Sequence, residues 1–224
     1  MSKPARKRSS SSVRSEVKRR GRALYNVWSV FSPKTQRRWI LHSDLAVEHW
    51  LLLEADPDVV SFDLNPFQDT GGDFGTDHSS DVDAVVRLRS GAVEWRQIQF
   101  ATALRNGEVA TSVTEGQASK GSFSRVVITD ELLSDKALLI SNFRQVVAAQ
   151  HRTAAFPPIK QQNDAAERLR IEGRCTLGEL IKGLDPAESA LALSGAYALL
   201  TSGFAVSDLD VAQLSTRTQL WLRE

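Results

Sequence analysis

Cysteine is almost absent from this 224-residue chain: Cys175 stands alone, which excludes an internal disulfide and suits a reducing compartment. No apolar run approaches the ~20 residues of a membrane span, and the basic N-terminus lacks the apolar core of a secretory signal. These two absences point to a cytoplasmic protein with no membrane partner. The four histidines (His42, His49, His78, His151) lack zinc-site spacing, and Gly71-Gly72 follows a loop and does not open a helix. Zinc-finger and phosphate-loop readings therefore fall away. What remains, 42% hydrophobic and 25% charged, is the composition of a globular chain of one or two domains.

The net charge of +1 conceals an asymmetry. From Met1 to Arg38 there are twelve Lys or Arg residues and one acid, Glu16, so this part carries about +11. The rest holds the other sixteen bases and twenty-six acids, about −10. A basic arm on an acidic body points to a polyanionic partner, with nucleic acid ahead of a merely solubilising tail.

Residues 1–22 read as a flexible arm. Tyr25 to Phe31 alternates like a strand, Ser32-Pro33-Lys34-Thr35 turns, and Arg38 to Leu41 returns. Ser43 caps a helix that runs to about Ala55, before Asp56-Pro57. Strands follow at Val59–Leu64, at Asp81–Leu88 after a polar loop, and at Val93–Phe100 across a Ser90-Gly91 turn. Asn106-Gly107 marks another turn, Val126–Ile128 a buried strand, and Leu132 to about Ala149 one helix. Residues 23–155 thus form one α/β domain. Pro157-Pro158 and Lys160 to Asp164 read as a boundary. From about 165 to 224, helices starting at Leu177 and Pro186, with two short strands after Gly203, resemble a winged-helix module.

The residues that point to chemistry are polar ones in apolar positions. Glu48 shares a helix face with Leu45, His49 and Leu52, where an unpaired carboxylate is costly to bury. Asp81 opens a strand with Asp83 on the same face, although strands disfavour Asp. Gln97 and Gln99 share a face of the next strand, and hairpin pairing brings them toward the Asp81 end. Oxygen donors held by rigid elements around one point suit a hard divalent cation. The bland alternatives are an arginine-paired Glu48 and loop-end aspartates in solvent.

Ser32-Pro33-Lys34, Ser43 to Glu48, and Leu52-Leu53-Glu54-Ala55-Asp56-Pro57-Asp58-Val59-Val60-Ser61-Phe62 together resemble TnsA, the endonuclease subunit of two-part transposases. The similarity continues through Asp81, Gln97 and Val126 to Asp130, and covers most of the chain after the arm. The resemblance implies a restriction-endonuclease-like mixed sheet flanked by helices, with a small C-terminal winged-helix domain. It implies Mg²⁺- (or Mn²⁺-) dependent cleavage of DNA at transposon 5′ ends, inside a bacterial cell. Its partners would be a DDE-type, TnsB-like transposase subunit and a TnsC-like ATPase regulator. The family site is a helix Glu, a strand Asp and Gln-x-Lys, which fall here on Glu48, Asp81 and Gln97 as metal ligands. Gln99 stands where lysine is expected, and lysine there would offset charge at the scissile phosphate and orient the attacking water. Lys120 or Arg96 are the candidates to replace it. The rival reading is a DNA-binding assembly subunit that kept the fold and lost cleavage; a transcriptional regulator leaves the Glu48 to Gln99 set unexplained.

Overall fold

Ser43 starts the first helix as its spacing predicts, its Oγ accepting from the Ala46 N–H at 3.0 Å. The computed structural model describes residues 26–64, 66, 82–102, 115–118 and 121–223. The arm, the 68–80 loop, Asp81, His78, Asn106-Gly107 and Lys120 lie outside the described residues.

Strands β1 (Trp28–Ser32) and β2 (Arg37–Leu41) pair as an antiparallel hairpin ahead of helix α1 (Asp44–Ala55). The main sheet comprises β3 (Val59–Leu64), β4 (Ala84–Leu88), β5 (Val93–Gln99), β6 (Glu115–Ala118) and β7 (Gly121–Thr129). Its order is β3-β4-β5-β7, with short β6 at the edge. The β5–β7 pair is parallel and the others antiparallel, so the sheet is mixed. The chain is α/β as its pattern predicts.

Helices α2 (Asp130–Asp135) and α3 (Ala137–Arg152) replace the single helix expected from Leu132. The break is Lys136, at φ −103°, ψ 13°, whose N–H turns back to the Leu133 and Ser134 carbonyls. Helix α4 (Ile159–Glu172) absorbs Lys160 to Asp164, which the sequence marks as a boundary. Pro157 and Pro158 precede its first turn, where a missing N–H costs no helical bond. After α4 come β8 (Arg174–Thr176), α5 (Leu177–Ile181), α6 (Pro186–Thr201), β9 (Ala205–Ser207) and β10 (Gln219–Leu222), the strands ordered β8-β10-β9.

Two apolar cores meet across α3. Ile140 and Val147 join Val47, Trp50, Leu53, Phe62, Val86 and Ile128 between sheet and α1. Phe143 and Val146 join Leu169, Ala196, Leu199 and Leu220 of the C-terminal half. Buried Asn142 ties the second core down, donating to Leu209 O and Ala212 O at 2.8 Å and accepting from Leu214 N at 2.9 Å.

Helices α4 and α6 pack closely because residue 195 has no side chain. A Cβ there would stand 2.6 Å from Gln162 N and 2.7 Å from Gln161 C. Gly195→Ala should therefore destabilise the protein by about 2–3 kcal/mol in urea unfolding, because overpacking outweighs the ~1 kcal/mol that alanine adds to a helix. An unchanged midpoint would refute the close packing.

Candidate functional site

The residues behind the family resemblance first build a joint, because a buried carboxylate needs partners. Glu54, fully enclosed on α1, accepts from Trp50 Nε1 at 3.1 Å, from the Lys34 backbone N–H at 3.2 Å and from the Ser32 side chain. Burial still raises its pKa above the usual carboxylate value. Lys34 Nζ donates to the Leu53 and Asp56 carbonyls at 2.8 and 2.7 Å, a cation on the C-terminal end of α1. Burial lowers the Lys34 pKa to about 8, against the pull of Glu54 and Asp56. Next along, Pro57 O accepts from Arg223 Nη1 at 2.8 Å, and Asp58 pairs with the same guanidinium. Ser32-Pro33-Lys34 and Glu54 to Asp58 thus clamp the β1–β2 turn and the chain's C-terminal end onto α1. Structure alone accounts for these residues, without any chemistry.

Asp83 is held against β5. Its backbone N–H donates to Arg96 O at 2.9 Å, and its Oδ2 accepts from the Ile98 N–H at 2.7 Å. Gln97 is bracketed by these two bonds. Along the β5–β7 register, Gln97 lies opposite Val127 and Gln99 opposite Thr129. Both glutamines are half-buried, and Gln99 Oε1 is a fully buried acceptor with no hydrogen-bond partner among the described residues. Leaving such an oxygen unpaired costs about 1–3 kcal/mol unless something fills it. The signal for Asp83 was in the sequence: it shares the strand-start position with Asp81 and lies nearer to the paired β4 residues.

Glu94, Arg96 and Ile98 point to the opposite face, where Ala84, Val86 and Ile128 meet the core against α1. Arg96 is buried there and paired with Glu94 at 2.8 Å, so it does not replace the missing lysine. Glu48 rides on α1, half-buried, and makes no hydrogen bond or ion pair with any described residue, Arg38 included. The structure therefore brings Asp83, Gln97 and Gln99 together and leaves Glu48 on the helix that covers the other sheet face. Among the described residues no three His, Cys, Asp or Glu side chains converge as a metal site.

His49, beside Glu48, is wholly buried, and among the described residues neither ring nitrogen has a hydrogen-bond partner. Burial, helped by nearby Arg96, lowers its pKa from 6.5 to about 3. Between these values the unfolded chain binds a proton that the folded one refuses, so stability rises with pH and is lost as pH falls from 6.5 toward 3. The slope approaches about 1.4 kcal/mol per pH unit, with Glu54 opposing it at the acid end because its folded pKa is raised. In urea titrations His49→Leu should remove this slope. An identical slope in both proteins would reject the assignment.

A cavity of about 530 Å³ opens elsewhere, lined among others by Lys34, Val60, Arg89, Gln150, Pro157 and Ser194. None of Glu48, Asp83, Gln97 or Gln99 lines it. Scanned against protein-family models and curated proteins, the chain matches none.

Proposed function

We propose that this chain is a TnsA-like, divalent-metal-dependent DNA endonuclease subunit that cuts at transposon 5′ ends beside a DDE-type transposase. The observation that carries the reading is Asp83 clasped against the Gln97–Gln99 strand with a buried amide oxygen left without a partner. A carboxylate and neutral amide oxygens form a donor set that a hard cation accepts. Asp83 and Gln97 would hold it, with Asp81 as the further ligand that the resemblance assigns; Glu48, which the resemblance also assigns, stands on the other side of the sheet from them. Polarisation of the scissile phosphate and activation of the attacking water are what a bound Mg²⁺ or Mn²⁺ supplies. The chain's own part is to fix the donors on a paired strand, so that little reorganisation is needed on binding.

The C-terminal half also fits the resemblance. Helix, strand, two helices and two strands, with the first strand paired to the last, supports the winged helix that the resemblance implies. Its α6 would then be the groove-reading helix, yet Pro186–Thr201 contains no Lys or Arg and buries Ala192, Tyr197, Leu199 and Leu200. Reading of base edges by α6 is not part of the proposal.

A non-catalytic assembly subunit is the second reading, favoured by glutamine at position 99 and by the sheet lying between Glu48 and the glutamines. Transposon-end DNA incubated with the protein, its transposase partner and Mg²⁺ or Mn²⁺ separates the two. Cleavage that Asp83→Ala lowers at least a hundredfold supports the nuclease. Cleavage sensitive to Asp81→Ala alone moves the centre two residues upstream. End binding without cleavage under any of these conditions favours the assembly role.

A further inference from the structure

The three-stranded C-terminal sheet has two unlike faces. Cys175, Ala205 and Leu220 point inward, each at most 2% exposed. By the register Trp221↔Arg174, Trp221↔Val206 and Gln219↔Thr176, the outward face carries Arg174, Thr176, Val206, Gln219 and Trp221. No carboxylate stands at any of these positions. Phe204 extends this face beyond β9, since the Arg223 N–H continues the ladder to Phe204 O at 3.2 Å.

The arginines are stacked on the aromatics. The Arg174 guanidinium lies 4.6 Å from the Trp221 ring centre, and Arg170, from the end of α4, lies 5.6 Å from that of Phe204. Stacking covers a guanidinium plane and leaves its N–H edge outward, which suits phosphate oxygens better than a mobile lysine does. Arg174 spends one N–H on Gln219 at 3.0 Å. The carboxylates at the rim are already engaged, Glu167 by Arg170 and Glu172 by Arg168. Phe204 remains 41% exposed and Arg174 is exposed, with Thr176, Val206, Gln219 and Trp221 half-buried between them.

We propose that this arginine–aromatic sheet face is where the C-terminal half meets the phosphate backbone of DNA, with α6 taking no part. The inference rests on DNA being the substrate and is independent of where, or whether, the strand is cut. Cationic edges backed by rings, with no carboxylate at the strand positions themselves and Glu179 and Asp58 at the ends already bonded to Thr176 and Arg223, match a polyanion and carry no base-reading pattern. Binding there is therefore indifferent to sequence.

The test uses the full chain and a fluorescein-labelled 30-base-pair duplex in EDTA, with anisotropy followed across KCl concentrations. Arg170→Ala/Arg174→Ala should weaken binding about tenfold or more, and lower the salt slope by about 1.8, roughly 0.9 for each lost phosphate contact. The exposed pair Lys136→Ala/Arg144→Ala, on α3 and its leading residue, removes the same charge and should change affinity less than twofold. Thermal melting checks that the fold survives; Arg170→Gln/Arg174→Gln replaces the alanine pair if it does not. An unchanged slope, or equal weakening by the control pair, overturns the proposal. Weakened binding by the alanine pair, with no cleavage of transposon-end DNA by wild type beside its transposase partner in Mg²⁺ or Mn²⁺, sinks the nuclease and leaves this face standing; intact binding with such cleavage does the reverse.

Discussion

Gln99→Lys should raise the rate of Mg²⁺-dependent cleavage of transposon-end DNA by about 10²–10⁴. One well-placed positive group at a charged transition state contributes about 3–5 kcal/mol, and each 1.4 kcal/mol is tenfold in rate. The position has room for the change in chemical terms. Among the described residues Gln99 Oε1 is buried without a partner, so no hydrogen bond to that oxygen is broken when the amide is removed. Asp83 lies against the same stretch of β5 and offers a carboxylate for the new ammonium. Gln99→Met, of similar length and without charge, should give no increase. A folded Gln99→Lys protein that cuts no faster than wild type would mean the centre lacks other parts, and would favour the assembly subunit.

Lys34→Met should cost about 3–5 kcal/mol of stability, because it removes the cation whose charge favours the enclosed Glu54 carboxylate, so that residue 34 keeps only its backbone N–H on it. Two further losses add to this. The Leu53 and Asp56 carbonyls at the end of α1 lose their donor, and the β1–β2 turn loses its anchor. For a chain of this size the melting temperature should fall by about 10 °C, at roughly 2–4 °C per kcal/mol. Lys34→Met/Glu54→Leu should be more stable than Lys34→Met alone, since the stranded charge goes with its partner. Full additivity of the two single losses, measured by urea unfolding, would show that the pair does not couple.

Much of the fold was legible because local chemistry and periodicity agreed. Ser43 and Asp56-Pro57 bounded α1, Ser90-Gly91 closed the β4–β5 hairpin, and Thr176, Pro186 and Gly203 marked the C-terminal elements. Where reading failed, tertiary context decided. Polar Lys160 to Asp164 resembled a loop, yet they form the first turns of a helix whose Ala165, Ala166 and Leu169 are buried, with Gln161 and Gln162 packed against Gly195. Lys136 gave no sign that it would break a helix. Within the candidate site, spacing found Gln97 and Gln99, and the aspartate chosen with them was Asp81, which lies outside the described residues. Two residues on, Asp83 accepts from the Ile98 N–H, a contact that spacing alone does not reveal. The sequence also gave Glu48 the central role on α1, whereas the enclosed carboxylate of that helix is Glu54, six residues on. Both occupy an apolar helix, and only the β1–β2 turn, distant in sequence, shows which one is surrounded.

Loss of the free Mn²⁺ resonance on titrating the ion into the protein–DNA complex, followed by electron paramagnetic resonance, tests most directly whether β5 carries a metal centre. The expected result is at least one ion bound per chain in wild type and that ion lost in Asp83→Asn, with DNA affinity unchanged. Equal Mn²⁺ binding by wild type and Asp83→Asn would contradict the assignment of the centre to this strand.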